Sequence, residues 1–180
     1  MYERVEEKMK EILREIGSIT RCFESIANIE YKEYHLAKNQ YLYLTRICEQ
    51  PGIILERLCD NIKVDRSTGS RACDKLAAAD FICKKKVPGN GKNIGLYPTE
   101  KGLNLYEFMN TEELYSDKTA LQGFTDEEIN QLYEWLVRIR KNIEPDWELV
   151  KKGGKRQFYA AGAAEIIQQT GNPMNRRETE

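Results

Sequence analysis

The fold is decided by the stretch ILERLCDNIKVDRSTGSRACDKLAAADFICKKKVPGNGKNIGLYPTEKG, which runs from Ile54 to Gly102. Apolar spacing, turn residues and one strong capping residue divide it into short elements. In chain order these are a helix over Ile54 to Asn61, a tight turn, a helix that begins after Asp65 and reaches about Ala79, a strand from Phe81, a turn over Pro88 to Gly91 and a strand over Ile94 to Tyr97. A helix-turn-helix followed by a basic β-hairpin is the layout of a winged helix that reads DNA.

The charge of the chain is unevenly distributed. The net charge is only −1, yet segment 61–102 carries nine basic and four acidic residues, a net charge of +5, and includes the run Lys84 to Lys86. Segment 112–148 carries ten acidic and four basic residues, a net charge of −6. A cationic centre between acidic flanks favours a surface that meets phosphate; the alternative is a random scatter of solvated charge.

Length and composition indicate one domain or slightly more. A chain of 180 residues with 41% hydrophobic and 32% charged residues fits a helix-rich protein of the aqueous phase. No run approaches the ~18 apolar residues of a membrane span. The charged N-terminus MYERVEEKMKEILREI lacks the pattern of a secretory signal. We therefore expect a cytoplasmic protein without membrane contact.

The cysteine and histidine content argues against metal, cofactor and enzyme chemistry. The five cysteines form no CxxC pair, which predicts reduced thiols rather than disulfides. His35 alone supplies too few nitrogen ligands for a typical zinc site, although an all-sulfur site stays open. Because the sequence also lacks a phosphate loop, a G-x-S-x-G elbow and a nucleophile–base set, we expect neither a cofactor nor an enzyme.

Two long apolar stripes flank the central stretch. One predicts a helix from about Val5 to Ile29. The other follows a capping box at Thr125 and Glu128, and the pair Glu144-Pro145 should end or bend its helix. The stripe residues are Ile12, Ile16, Ile19, Phe23 and Ile26 in the first helix, and Ile129, Leu132, Leu136, Ile139 and Ile143 in the second.

The remaining segments complete the predicted organisation. They are a connector over Glu30 to Lys38, a helix over Asn39 to Glu49 that stops at Pro51-Gly52, a helix from Thr99 to about Leu114, a joint at Gly153-Gly154, a short helix within QFYAAGAAEIIQQ and a disordered polar tail from Gly171. The predicted units are residues 1–38, an N-terminal helix and connector; 39–102, the winged helix-turn-helix; 103–152, C-terminal helices; and 153–180, a tail.

The pattern resembles the MarR family of bacterial transcription regulators over roughly Ile12 to Lys152. The specific part of the resemblance is Leu58-Cys59, Val64-Asp65-Arg66-Ser67-Thr68, Ser70-Arg71, Leu76 and Thr99-Glu100-Lys101-Gly102. It implies a mainly α fold with a small β-hairpin, in which units 1–38 and 103–152 form a homodimer. It also implies binding to a pseudo-palindromic double-stranded operator, with one recognition helix per major groove.

The DNA contacts are expected from the second helix of the helix-turn-helix and from the wing. Arginine can bind guanine through two hydrogen bonds, whereas Ser and Thr suit phosphate or adaptable base contacts. The candidate contact residues are Arg66, Ser67, Thr68, Ser70, Arg71, Lys75, Lys86, Asn90, Lys92 and Asn93.

The sequence departs from the family pattern at four of its positions. Gly69 and Ala72 replace larger aliphatic residues, and a mid-helix glycine costs about 1 kcal/mol against alanine, so this helix is either softer or packed closer to its neighbour. Lys92 stands where the family usually carries a wing arginine, and Asn90 where an aspartate orients it. Lysine binds phosphate as a point charge, which predicts a wing that contributes mainly affinity.

Two sensing hypotheses follow from the resemblance. Some relatives bind small phenolic or aromatic anions near the domain joint, where this chain clusters Tyr31, Tyr34, His35 and Tyr41; the alternative is a structural role for these rings. Other relatives sense oxidants through a cysteine near the first helix, here Cys22, which can equally be a packing residue.

The favoured function is a homodimeric, sequence-specific DNA-binding regulator, more often a repressor in this family, released by a small aromatic effector. The alternatives are an oxidant-sensing regulator that uses Cys22 and a winged-helix module that binds proteins without binding DNA. The last alternative predicts no steep salt dependence with duplex DNA.

Overall fold

The computed structural model describes the backbone of residues 2–87 and 90–157 and the side chains of residues 5–87 and 93–157. In chain order the elements are α1 (Tyr2–Glu30), a 3₁₀ turn (Tyr31–Tyr34), α2 (Gln40–Glu49), β1 (Ile53–Ile54), α3 (Leu55–Asn61), α4 (Arg66–Ala78), β2 (Ile82–Val87), β3 (Asn90–Pro98), α5 (Glu100–Ala120) and α6 (Asp126–Lys151). They confirm the predicted mainly helical, winged helix-turn-helix fold. The chain divides into two compact units, residues 1–117 and 118–180.

The described strands form an antiparallel sheet in the order β1-β3-β2. The sequence predicted only the hairpin, and it placed Ile54 in a helix. That assignment is wrong, because Gly52 adopts a φ of +90° and its N–H donates to the Leu96 carbonyl at 2.7 Å. The turn directs Ile53 and Ile54 along β3, where Ile53 pairs with Leu96. Helix α3 therefore begins one residue later than expected.

A single core joins the helices of the winged helix to its sheet. Leu44 and Ile47 from α2, Leu58 from α3 and Leu76 from α4 are each fully buried. They pack with Ile82 of β2 in one hydrophobic cluster. Each fully buried side chain of this kind contributes about 1.5–3 kcal/mol relative to an exposed one. The core thus fixes how α4, the second helix of the motif, is presented to solvent.

Helix α5 is longer than the sequence indicated. It continues to Ala120, whereas we predicted an end near Leu114. The intervening residues contain no glycine or proline, so nothing interrupts the backbone hydrogen bonds before the turn at Gly123, which has a φ of +89°.

Helix α6 begins at the predicted capping box and continues past Pro145. The Glu128 N–H donates to Thr125 Oγ1 at 3.2 Å, and the Thr125 N–H donates to Glu128 Oε2 at 2.8 Å. The helix ends at Lys151, so an end at Pro145 is wrong. Pro145 removes only one N–H donor from the helix. The residues of the adjoining turns keep their N–H donors, so the helix continues past it. The predicted short helix within QFYAAGAAEIIQQ and the tail from Gly171 lie, beyond residue 157, outside the described residues.

Candidate nucleic-acid interface

The first turn of α4 is organised by Asp65. Its carboxylate accepts hydrogen bonds from the Thr68 N–H at 2.8 Å, Ser67 Oγ at 2.5 Å and Thr68 Oγ1 at 2.6 Å. The hydrogen bonds from Ser67 and Thr68 hold the pKa of Asp65 well below its usual range. Both hydroxyl protons are thereby directed to Asp65, so the two hydroxyl oxygens can serve a ligand only as acceptors.

Arg66 and Arg71 are exposed cations on the first two turns of α4. Arg71 Nη2 lies 3.5 Å from Thr68 Oγ1, a long hydrogen bond. No hydrogen bond or ion pair links Arg66 to any other residue in the described part of the chain. Both guanidinium groups therefore retain free donors, which is the condition for bidentate recognition of a base or a phosphate.

The glycine within α4 allows close packing against α3. A Cβ added to Gly69 would overlap Cys59 Sγ, and Gly69 is buried. The contact with Cys59 supports closer packing against α3, rather than a softer helix, as the consequence of glycine at this position. Ala72, the other position of α4 at which the sequence departs from the family pattern, is half-buried.

The wing is joined to α4 by an ion pair that the sequence did not reveal. Lys84 Nζ lies 2.5 Å from Asp74 Oδ1, and this contact lowers the pKa of the Asp74 carboxyl. Lys85 Nζ lies 6.0 Å from the centre of the Tyr97 ring. Lys86 is exposed and makes no hydrogen bond or ion pair with any described residue. Of the three consecutive lysines, only Lys84 forms an ion pair within the described residues, and Lys86 makes none of these side-chain contacts.

The remaining predicted contact residues are placed as follows. Ser70 is half-buried and its Oγ lies 3.5 Å from Asp74 Oδ2. Lys75 on α4 and Asn93 on β3 are exposed. Asn90 and Lys92 belong to β3, but their side chains lie outside the described ones. The structure thus brings together Arg66, Arg71, Lys75 and the base of the wing on one winged helix, and their role in contacting DNA stays a prediction.

Unit 1–117 contains a cavity of about 360 Å³ between α1, α2 and α5. Of the predicted aromatic cluster, Tyr31 and Tyr41 belong to its lining, whereas Tyr34 and His35 do not. The Tyr34 ring packs on Phe108 with ring centres 5.0 Å apart. The side chain of His35 is exposed, and its backbone adopts the left-handed conformation with a φ of 61°. The candidate effector site therefore shifts from the connector to the cavity beside it.

The cysteines fall into two groups by exposure. Cys48, Cys59 and Cys73 are buried, Cys83 is half-buried and Cys22 is exposed. Burial raises the pKa of Cys48 to about 11 and that of Cys73 to about 12. Cys48 and Cys73 are thus protonated near neutral pH, and all three buried cysteines act as core residues.

Comparison with known proteins identifies the class and then the family. The fold and the capped, cationic recognition helix define a winged helix-turn-helix protein. A sequence model of the MarR family matches residues 36–94. The HTH-type transcriptional regulator YybA of Bacillus subtilis (strain 168) is 51% identical over 150 residues, which are 83% of this chain and 100% of that protein.

Solved structures agree with this assignment. A MarR family transcriptional regulator from Listeria monocytogenes, complexed with a 26mer DNA, is 51% identical with a TM-score of 0.77 and covers 81% of this chain and 97% of its own. A MarR protein from Peptoclostridium difficile is 41% identical with a TM-score of 0.71, over 77% of this chain and 91% of its own. The chain belongs to the MarR family, whose members are transcriptional regulators and not enzymes.

The Asp65 cap predicts a pH-dependent stability. Because the folded pKa of Asp65 is lowered, its stabilising effect is fully present above the unfolded value of about 3.9 and is lost progressively as the pH falls from there through the folded pKa. We expect Asp65→Ala to lower the Tm by about 2–4 °C at neutral pH. The deficit should shrink in melts followed by circular dichroism as the pH approaches about 3.

Asp65→Asn is the matched control, because it keeps an acceptor for the Thr68 N–H without the charge. At neutral pH its Tm should lie between those of the parent and Asp65→Ala, and its difference from Asp65→Ala should not depend on pH, because Asn keeps the neutral acceptor but not the ionised carboxylate. A deficit of Asp65→Ala that is the same at all pH values would contradict the assignment.

Proposed function

We propose that this chain is a sequence-specific DNA-binding transcriptional regulator that acts in the cytoplasm as a homodimer, most simply as a repressor. The observation that carries the proposal is the pair of exposed guanidinium groups, Arg66 and Arg71, on the capped first turns of α4. Lys86, on the strand that Lys84 ties to the same helix, adds a charge suited to phosphate. None of the helices that the structure describes has the length and apolar character to cross a membrane.

The proposal of a dimer is supported by apolar side chains left exposed on both flanking helices. On α1 these side chains are Val5, Met9, Ile12, Leu13, Ile19, Ile26 and Ile29. Helix α6 has no buried residue, and its exposed apolar side chains are Tyr133, Trp135, Leu136, Ile143, Leu149 and Val150. Faces of this kind need a partner surface, and a second copy supplies one with twofold symmetry. Two recognition helices would then meet successive major grooves of a pseudo-palindrome, about 34–36 Å apart.

A small aromatic effector bound in the cavity of unit 1–117 would regulate this binding. Its volume of about 360 Å³ suits such a ligand. An effector that binds more tightly when the two recognition helices are arranged so that they do not fit the operator lowers the operator affinity. The size of this effect is set by the difference between the effector's affinities for the two arrangements. Oxidant sensing through Cys22 is the alternative, and the exposure of this thiol is the observation in its favour.

A salt titration tests the proposal directly. We expect the protein to bind a labelled inverted-repeat fragment from its own promoter with two protomers per site. Anisotropy should give a steep linear fall of log K with log salt, because bound phosphates release counterions. Lys86→Ala should reduce that slope by about 1.

Lys32→Ala serves as the control for this titration, because it removes an exposed charge from the 3₁₀ turn outside the winged helix. It should leave the slope unchanged. A flat salt dependence would refute DNA binding and favour a winged-helix module that binds proteins.

A further inference from the structure

The wall of the cavity in unit 1–117 is acidic. Its lining includes four carboxylates, Glu24, Glu112, Glu113 and Asp117, and a single base, Arg46. Arg46 Nη1 donates to the carboxylate of Glu49 at 2.6 Å, so its charge is shared between Glu49, outside the lining, and the wall, where it opposes the rise in the pKa of Glu113. An aromatic anion entering this space would meet charge of its own sign, which is unfavourable wherever water is partly excluded.

Only one of the four carboxylates is used by the surrounding structure. Tyr31 OH donates to Glu112 Oε2 at 2.6 Å, and Ser116 Oγ donates to Glu112 Oε1 at 2.6 Å. The other three, those of Glu24, Glu113 and Asp117, make no hydrogen bond or ion pair with a residue in the described ranges. They are therefore acceptors that a ligand can engage.

The pKa values of two groups in the wall, Glu113 and Tyr41, are raised, as expected where several negative charges lie close together. Desolvation, followed by the charges of Asp117 and Glu49, raises the pKa of the Glu113 carboxyl. Desolvation, followed by the charges of Glu24 and Glu113, raises the pKa of Tyr41. A positive charge placed among these carboxylates would relieve their mutual repulsion.

Most of the remaining lining is apolar or aromatic. Tyr31 and Tyr41 have ring centres 5.5 Å apart at a tilt of 60°, and Phe23 and Met109 are among the apolar residues of the lining. Aromatic faces attract cations within about 6 Å of the ring centre. The cavity thus offers apolar surface to the body of a ligand, and it offers both carboxylates and aromatic rings to a positive charge on that ligand.

We propose that the cavity between α1, α2 and α5 binds a lipophilic cation, an aromatic body that carries an ammonium group, in preference to an aromatic anion. The regulatory consequence rests on the proposed function, since occupancy would lower operator affinity only if the chain binds an operator. The binding preference itself depends on the charge and shape of the cavity alone.

A charge series of matched ligands tests this preference. The probes are naphthylmethylammonium, naphthylacetamide and naphthylacetate, a cation, a neutral compound and an anion of similar size. Calorimetry on the full chain without DNA should rank them cation, neutral, anion. The double variant Glu113→Gln/Asp117→Asn should weaken binding of the ammonium about tenfold, corresponding to about 1.4 kcal/mol, with little effect on the amide.

Glu107→Gln is the matched control, because it removes an exposed carboxylate from the same helix outside the cavity lining. It should leave binding of the ammonium unchanged. Absence of ammonium binding, tighter binding of the acetate, or an unaltered double variant each overturns the inference. Anisotropy with operator DNA is read separately: ammonium binding without any operator binding would refute the proposed function and leave the cavity assignment standing.

Discussion

Replacement of both Arg66 and Arg71 by alanine is expected to abolish operator recognition while the protein stays folded and dimeric. Each arginine that reads a base contributes roughly 1–3 kcal/mol, so the double variant should lose roughly 2–6 kcal/mol of specific binding. Both side chains are exposed on α4 and neither contributes to the core, so the fold has little to lose. Competition anisotropy with operator and unrelated DNA measures the loss.

Arg66→Lys/Arg71→Lys separates charge from geometry. Lysine keeps the positive charge but lacks the planar fork, so this variant should retain affinity for unrelated DNA and lose the preference for the operator. Size-exclusion chromatography with light scattering checks that both variants remain dimeric. Full operator affinity in the alanine variant would refute the role assigned to α4.

Gly102→Ala is expected to destabilise the protein strongly, although the same change usually stabilises a helix. Gly102 is buried near the start of α5, and an added Cβ would overlap the carbonyl oxygen of Phe81. That carbonyl also accepts the Thr99 N–H at 3.0 Å, so it cannot move without loss of this bond. Overpacking of this kind costs about 1–3 kcal/mol or more, which corresponds to a fall in Tm of roughly 3–10 °C.

Gly17→Ala provides the contrast within α1. Its added Cβ would meet only the guanidinium end of Arg21, at 3.1 Å, and that side chain can move away. The change should therefore gain up to about 1 kcal/mol from helix propensity. Melting curves of the two variants under identical conditions should shift in opposite directions. If Gly102→Ala melts at or above the temperature of the parent protein, the close approach to Phe81 is not the reason why this position requires glycine.

The features predicted correctly from sequence are those fixed by neighbouring residues. Asp65 lies directly before its helix, and the side chain accepts from the Thr68 N–H as its position indicated. The capping box at Thr125 likewise depends on a partner three residues away. Local signals of this kind located both helix starts to within a residue.

The features that were missed depend on contacts between distant residues. Strand β1 exists because Ile53 meets Leu96, forty-three positions along the chain. The partner of Lys84 is Asp74 on another element, and nothing in the spacing of the two marks them as a pair. Likewise, Glu112 and Glu113 read as a solvated acidic run until the fold places them in the wall of a cavity with Tyr41. Sequence spacing supplies no signal for such encounters.

The separation of the thiols by exposure gives this protein a built-in labelling site. Near neutral pH, a maleimide should reach Cys22 first, because three of the other cysteines are buried and Cys83 is half-buried. Cys22 precedes Phe23 and Glu24, two residues of the cavity lining. We expect a fluorophore attached there to lie close to the cavity and to respond to ligand binding without any engineered residue.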